Sequence, residues 1–236
     1  MGLAIDVAIA KTNKYASRES GDTAELIERP GGGLSVVLAD GQGSGRAAKT
    51  LSLLVTSKAV ALLKDGVRDG AVARAVHDFL FAYRHGQVSA TLEILSVDLR
   101  AETVVLTRNA ATLAFVGSGE RYGRVDGDSG PIGLYAVSRP TVLQLPLAAG
   151  LRALLATDGV GRSGVRGGAE DLDLAACAAG LGPDADATAV ADGVLAEAVL
   201  RDAGRPADDM TVVALALRPH RDAILVRRQG ATVPLP

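Results

Sequence analysis

Apolar positions along this chain keep strand spacing at first, then helical spacing, then strand spacing again, and the two periods go on alternating toward the C-terminus. Residues 1–10 alternate loosely and predict an edge strand; residues 25–28 predict a short one before the turn Pro30-Gly31-Gly32-Gly33. Residues 34–39, Leu-Ser-Val-Val-Leu-Ala, form an apolar, β-branched run with little alternation, the mark of a strand buried on both faces. Ser44 is placed to cap a helix whose apolar face carries Ala47, Leu51, Leu54, Val55, Ala59 and Leu62, ending at Asp65-Gly66. A second helix starts near Asp69 with Val72, Val76, Phe79, Leu80 and Tyr83 as its stripe, and the short link predicts an antiparallel pair.

From Ser89 the period falls to two. Residues 91–99, 103–107, 113–116, 121–125 and 141–145 predict short strands separated by turn signals such as Asn109, Gly117-Ser118-Gly119 and Asp126-Gly127-Asp128-Ser129-Gly130-Pro131, which together read as an antiparallel meander. Residues 151–157 are another apolar strand ending at Asp158-Gly159, followed by a glycine-rich loop, 160–168. Two further helices carry Leu174, Cys177, Ala178 and Leu181, then Val190, Val194, Leu195, Ala198 and Val199, with Gly204 and Pro206 as stop signals. Asp208-Asp209-Met210 leads into a strand at 211–217, and a last strand is predicted at 223–228. Helices segregated from a run of antiparallel strands make this an α+β chain. Without an internal repeat or linker, residues 1–236 are expected to form a single domain.

Composition narrows the function. Of 236 residues, 48% are hydrophobic but only 3% aromatic, so the core must be built from Ala, Val and Leu. A net charge of −2 argues against a general nucleic-acid binder or a ligand for anionic membranes. The single cysteine, Cys177, excludes an internal disulfide and a cysteine-based zinc site, and reads as a small core residue. No apolar run reaches the roughly 18 residues of a membrane helix. Asp6 interrupts what would be the apolar part of a signal peptide and also breaks the myristoylation pattern that Gly2 begins. The expectation is a soluble cytoplasmic protein. His77 lies off its helix stripe, His85 ends that helix and His220 follows a strand, so all three read as surface or cap residues.

Candidate chemistry lies in the acids. Asp-Gly occurs at 40, 65, 126, 158 and 192, and a lone Asp-Gly is ordinarily a turn. Asp65 and Asp126 fit that reading, and Asp192 sits in a helical pattern where it should be exposed. Asp40 and Asp158 differ, because each ends a buried apolar strand, while Asp208 and Asp209 immediately precede one. Adjacent strands would bring Asp40, Asp158 and Asp208 to one sheet edge, where three carboxylates repel unless a cation sits among them. No lysine or arginine stands at a fixed spacing to neutralise them, and an all-oxygen ligand set favours hard ions such as Mg²⁺ or Mn²⁺. Gly43-Ser44-Gly45-Arg46-Ala47-Ala48 also matches a dinucleotide fingerprint, but Asp65 closes a helix rather than a second parallel strand, and Asp40 would face the pyrophosphate. No serine lies in a G-x-S-x-G elbow.

Taken together, Ser20-Gly21-Asp22, Ala39-Asp40-Gly41-Gln42-Gly43-Ser44-Gly45, Gly130-Pro131-Ile132-Gly133, Ala156-Thr157-Asp158-Gly159-Val160 and Asp208-Asp209-Met210-Thr211-Val212-Val213 resemble the metal-dependent serine/threonine protein phosphatases of type 2C (the PPM family), in the bacterial stage II sporulation protein E (SpoIIE)-like branch. The resemblance runs along nearly the whole chain. It implies a four-layer αββα sandwich, a central antiparallel β-sandwich flanked by two antiparallel helix pairs. It implies two divalent cations, Mn²⁺ or Mg²⁺, bridged by Asp40, with Asp158 and Asp208 completing the first ion's set and the Gly41 carbonyl reaching the second. A hydroxide activated by both ions would then attack phosphorus in line. Asp22 matches the acid that holds a water, and Asp209, where many relatives have Asn, is assigned to support. The arginine with which eukaryotic relatives meet phosphate has no clear match, since the nearby Arg18 reads as a solvated charge, and Gly21 stands where distant relatives carry an acid. Arg162 and Arg166 in the 160–168 loop are the candidate substrate contacts.

By the same resemblance the substrate would be a phosphorylated STAS-domain anti-anti-sigma protein or a stress-signalling scaffold, placing the chain in sigma-factor regulation. The alternatives are a pseudophosphatase that docks partners without turnover, and a phosphohydrolase acting on small molecules.

Overall fold

The computed structural model describes residues 2–110, 113–127, 129–220 and 226–233. Its strands are β1 (Gly2–Thr12), β2 (Asp22–Glu28), β3 (Gly33–Asp40), β4 (Leu92–Asp98), β5 (Thr103–Asn109), β6 (Leu113–Ser118), β7 (Arg121–Arg124), β8 (Thr141–Pro146), β9 (Leu151–Ala156) and β10 (Met210–His220). The helices are α1 (Gly45–Lys64), α2 (Asp69–Arg84), the single turn α3 (Asp158–Gly161), α4 (Leu174–Gly180) and α5 (Ala187–Arg201). The described strands form two antiparallel sheets, ordered β1-β10-β9-β6-β7 and β2-β3-β4-β5-β8.

The unbroken apolar runs follow from burial on both faces. In β3, Val36 and Leu38 point between the sheets with Leu95, Val97, Leu155, Val213 and Leu215. Their alternates Val37 and Ala39 pack under Leu51, Val55 and Ala59 of α1 and Val72, Val76 and Leu80 of α2. On the other side, Val212 and Ala214 of β10 meet Leu174 and Ala178 of α4 and Val190, Val194 and Ala198 of α5. Each sheet thus has one face on the other sheet and one under helices, giving the expected α-β-β-α layers. With so few aromatics, the interior is filled mainly by alanine, valine and leucine, as expected, and its largest fully buried side chains are Leu38, Leu63, Leu80, Leu92, Ile94, Leu95, Leu106, Ile132, Leu154, Leu155, Leu174 and Met210.

Several local expectations need correction. The strands from residue 91 onward are not one meander: β4 and β5 pair in one sheet, β6 and β7 in the other, and β8 returns to β5. Period-two spacing marks a strand but not the sheet it joins. At that crossing the buried Arg108 donates Nε to Glu93 at 2.7 Å and Nη1 to the Val125 carbonyl at 2.8 Å, so both charges are satisfied inside. The buried face of α1 turns onto Ala48, Ser52, Thr56 and Leu63, leaving Ala47 exposed. Ser52 can lie inside because its hydroxyl meets Thr23 Oγ1 at 2.7 Å, and Thr56 donates to the Ser52 carbonyl at 2.9 Å. Ser44 occupies the N-cap position, but its side chain makes no capping bond. The 160–168 segment is ordered rather than an open loop: α3 is followed by a 3₁₀ turn at Val165–Gly167. Of the strand predicted at 223–228, residues 223–225 lie outside the described residues and 226–228 are not in a strand, and Asp128 also lies outside them.

His77 is the clearest misreading. It is 1% exposed on α2, its ring stacks near Phe81, and its Nδ1 accepts the Gly133 amide at 3.2 Å. Gly133 follows Ile132, which bridges Ala90, which in turn bridges Gly41, so α2 helps to seat the backbone beside Asp40. His85 does act as a cap, in the left-handed conformation at the end of α2. His220 is the last residue of β10 rather than beyond it. Cys177 is half-buried against the α4–α5 core, and burial followed by Glu197 pushes its thiol up, as for an unreactive packing residue. Among the described residues no helix is long and apolar enough to cross a membrane.

Candidate metal centre

The acids meet because of strand parity and register. Asp40 is in phase with Val36 and Leu38, so it continues the face between the sheets at the point where β3 ends. Asp22 stands directly opposite it on β2. Ala156 at the end of β9 pairs with Val212 near the start of β10, which brings Asp158, just past β9, beside Asp208 and Asp209, just before β10. All five aspartates line one cleft of about 280 Å³ at the mouth of the sandwich, together with Gly41, Gln42, Thr91 and Pro131. A larger hollow, about 630 Å³, lies between residues 169–173, α4 and α5, away from these acids.

Each carboxylate has a distinct setting. Asp22 is 1% exposed, and its Oδ2 accepts the hydroxyls of Thr211 at 2.6 Å and Thr157 at 3.0 Å, both from the opposite sheet. Asp209 is also buried: its Oδ1 accepts the Lys14 amide at 2.8 Å and its Oδ2 the Gly21 amide at 2.7 Å. It therefore clips the 13–21 segment to β10, in keeping with a supporting role. A Cβ at Gly21 would sit 2.9 Å from Ala48 Cβ and 3.3 Å from Asp209 Oδ2, so packing against Ala48 of α1 above all leaves no room for a side chain there. Asp40 is held through its backbone, with its amide donating to Thr91 Oγ1 at 3.1 Å and its carbonyl accepting the Thr91 amide at 2.9 Å. Asp158 and Asp208 are the more open pair.

The glycines after Asp40 and Asp158 serve close approach. A Cβ at Gly41 would fall 2.2 Å from the Ala48 carbonyl oxygen, and one at Gly159 would fall 2.1 Å from the Asp209 carbonyl oxygen. Gly41→Ala should therefore push α1 away from β3 and lower stability by about 2 kcal/mol or more. Urea unfolding monitored by circular dichroism checks this; an unchanged midpoint would mean that α1 does not need this contact.

Electrostatics bear out the crowding. Burial, then Asp22, Asp158, Asp208 and Asp209, push the Asp40 carboxyl up to about 8. Burial raises Asp22 to about 6 despite the stabilising hydroxyls of Thr211 and Thr157. Asp158 is raised by desolvation and by Asp208, with the Gly159 amide and Arg162 opposing. Two lysines stand behind the cluster: Lys11 Nζ donates to the Asp22 carbonyl at 2.6 Å and Lys49 Nζ to the same oxygen at 2.9 Å. Burial and Lys49 lower Lys11 to about 8. Lys14 Nζ lies 3.8 Å from Asp208 Oδ1 at the rim. Sequence spacing gave no sign of these cations, nor of Thr157 and Thr211, although Thr157 adjoins Asp158, Thr211 lies two residues past Asp209, and their parity points them inward. Arg162 caps the end of α3 and is exposed; Arg166 is exposed in the 3₁₀ turn, and neither lines the cleft.

The donor set fits hard divalent cations in chemistry and charge: only oxygens, no thiolate or imidazole, and carboxylates that raise one another's proton affinity. In geometry the acids ring the opening rather than converge. No three His, Cys, Asp or Glu among the described residues already stand at spacings that would hold an ion.

Comparison with known proteins bears on the family and the fold. The family model for stage II sporulation protein E (SpoIIE) matches residues 30–218. The PP2C phosphatase domain of the cell fate determinant SpoIIE from Bacillus subtilis, solved with a fragment of its regulatory domain, is similar with a TM-score of 0.81 at 22% identity, covering 92% of this chain. This chain spans 64% of the length of that one. The Mycobacterium tuberculosis serine/threonine phosphatase PstP/Ppp gives a TM-score of 0.70 at 17% identity, over 91% of this chain and 99% of that one. RsbX in complex with magnesium gives 0.68 at 15%, over 90% and 95%. At such identities these likenesses speak for the fold, which is that of the PP2C phosphatases. No curated protein matches the sequence.

Proposed function

Because the chain belongs to the stage II sporulation protein E family, we propose that residues 1–236 act as one catalytic domain, a metal-dependent phosphoprotein phosphatase that hydrolyses phosphoserine or phosphothreonine. The observation that carries this reading is the gathering of Asp22, Asp40, Asp158, Asp208 and Asp209, far apart in sequence, around one cleft. Asp40, Asp158 and Asp208, with the carbonyl of Gly41, would hold two divalent cations, Mn²⁺ or Mg²⁺. When bound, these ions would make water a nucleophile near neutral pH and offset charge on the phosphoryl oxygens.

The remaining steps belong to the chain's own groups. Asp22, pinned through Oδ2 by two threonine hydroxyls, keeps Oδ1 for a water and, with its carboxyl raised to about 6, can take that water's proton near neutrality. Asp209 holds no substrate; it keeps the 13–21 segment against the cleft. Arg162 and Arg166 would meet the phosphoprotein beyond the phosphate itself. No cysteine or serine nucleophile is needed for this route. For substrate, the fold likeness to RsbX and to a structure from the bacterial stressosome supports a partner of the anti-anti-sigma (STAS-domain) or stress-scaffold kind.

The test is hydrolysis of p-nitrophenyl phosphate and of phosphorylated STAS-domain proteins with Mn²⁺ and with EDTA. Mn²⁺-dependent turnover of both is expected. Turnover of nucleotides but of no phosphoprotein would assign a small-molecule phosphohydrolase. Absence of turnover, with Asp40→Asn binding a STAS-domain partner as wild type does, would assign a docking module.

A further inference from the structure

Lys14 stands out because its two ends are held so differently. Its backbone is fixed: the Lys14 amide donates to Asp209 Oδ1 at 2.8 Å, the Tyr15 amide to the Pro206 carbonyl at 2.8 Å, and the Ser17 amide to the Lys14 carbonyl at 3.0 Å. Arg205 stacks over the Tyr15 ring at 5.3 Å, which anchors the next residue as well. Its ammonium, by contrast, is one-third exposed and stands 3.8 Å from Asp208 Oδ1, beyond hydrogen-bond reach and beside an acid that is itself half-exposed. The result is a loosely paired point charge on a fixed backbone at the rim of the acid cleft.

Charge balance says what that point charge is for. Five carboxylates face the cleft, and two divalent cations leave one negative charge over when all five are ionised. A phosphate monoester brings up to two more, so a cation at the opening of the cleft would favour its approach. The lysines behind Asp22 add positive charge to the cluster, but both ammonium groups bond its carbonyl oxygen and neither lines the cleft. Lys14 is the cation in ion-pair range of a cleft carboxylate among the described residues. With only this long ion-pair contact to Asp208, the Lys14 ammonium is placed to meet a phosphate oxygen entering the cleft. We propose that Lys14 is the substrate-phosphate contact of this chain, a specificity residue that binds the phosphoryl group without taking part in bond cleavage. This rests on the phosphatase reading above.

The test separates a phosphate contact from a mere neutraliser of Asp208. Calorimetry measures Mn²⁺ binding to the protein, then inorganic phosphate binding to the Mn²⁺-loaded protein, for wild type, Lys14→Ala and Lys14→Arg. The expected result for Lys14→Ala is phosphate affinity weakened about tenfold or more, and KM for a phosphoserine peptide raised by a similar factor, with kcat little changed and Mn²⁺ affinity unaltered. Lys14→Arg should recover most of the loss. If Lys14→Ala changes Mn²⁺ affinity but leaves phosphate affinity and KM as in wild type, Lys14 only balances Asp208 and the assignment fails. If wild type itself neither binds Mn²⁺ nor hydrolyses a phosphoester, it is the phosphatase reading that has failed, and this assignment with it.

Discussion

Asp40→Asn should lower Mn²⁺-dependent hydrolysis of p-nitrophenyl phosphate by about a hundredfold or more while making the metal-free protein more stable above pH 8. The two effects have one cause. Asparagine keeps the shape of the side chain and its place in register with Asp22, so β3 and its contacts should be preserved. What it removes is the carboxylate that burial and four neighbouring aspartates push up to about 8, against an ordinary 3.8. A carboxylate whose folded-state pKa is raised makes the folded state less stable once it must ionise, so its removal relieves strain at high pH and changes little at low pH. Lost activity with gained stability is the signature of a functional acid and cannot come from misfolding. Asp65→Asn and Asp192→Asn, in an exposed helix cap and on an exposed helix face, should change neither. Steady-state kinetics and urea unfolding in EDTA at pH 6 and pH 9 check both halves. Unchanged turnover in Asp40→Asn would remove the acid cleft from the reaction.

The layers and the acids were legible in the sequence for the same reason. A run such as residues 34–39 has no alternation because both faces of its strand are covered, and that continuity is visible one residue at a time. An aspartate that ends such a run has to leave the core at a fixed point, so Asp40, Asp158 and Asp208 could be grouped before any pairing was known. What stayed hidden depends on which strand lies beside which. Nothing in residues 113–125 distinguishes a strand that continues the β4–β5 sheet from one that crosses to the β9 sheet. Ser52 and His77 lie inside because of partners distant in sequence, Thr23 for the Ser52 hydroxyl and the Gly133 amide for His77 Nδ1. Lys14 escaped notice similarly. Its place at the rim comes from Asp209 accepting its amide across 195 residues, and sequence spacing cannot register a contact of that range.

Wild-type protein stripped of metal should lose stability as the pH rises, and Mn²⁺ should reverse the loss. Asp22 is raised to about 6 and Asp40 to about 8. Both lie above the ordinary carboxylate value, so the folded state holds more protons than the unfolded chain between about pH 4 and pH 8. Their stabilising contribution is complete below pH 4 and is lost stepwise as the pH passes through 6 and then 8. The two carboxylates face each other across β2 and β3 and share Asp209 as a neighbour, so they titrate as a linked pair, and the total loss should be on the order of a few kcal/mol. A divalent cation binds the ionised carboxylates, so its affinity rises over the same window in which the metal-free protein weakens. At about a hundred times its dissociation constant, Mn²⁺ should add about 2.7 kcal/mol. Urea midpoints measured in EDTA should therefore fall from pH 5 to pH 9, whereas those in Mn²⁺ should stay level or rise, and Asp40→Asn should flatten the EDTA curve. A flat EDTA curve for the wild type would mean that the aspartates do not press on one another in the folded chain, and a cation would then have no repulsion to relieve.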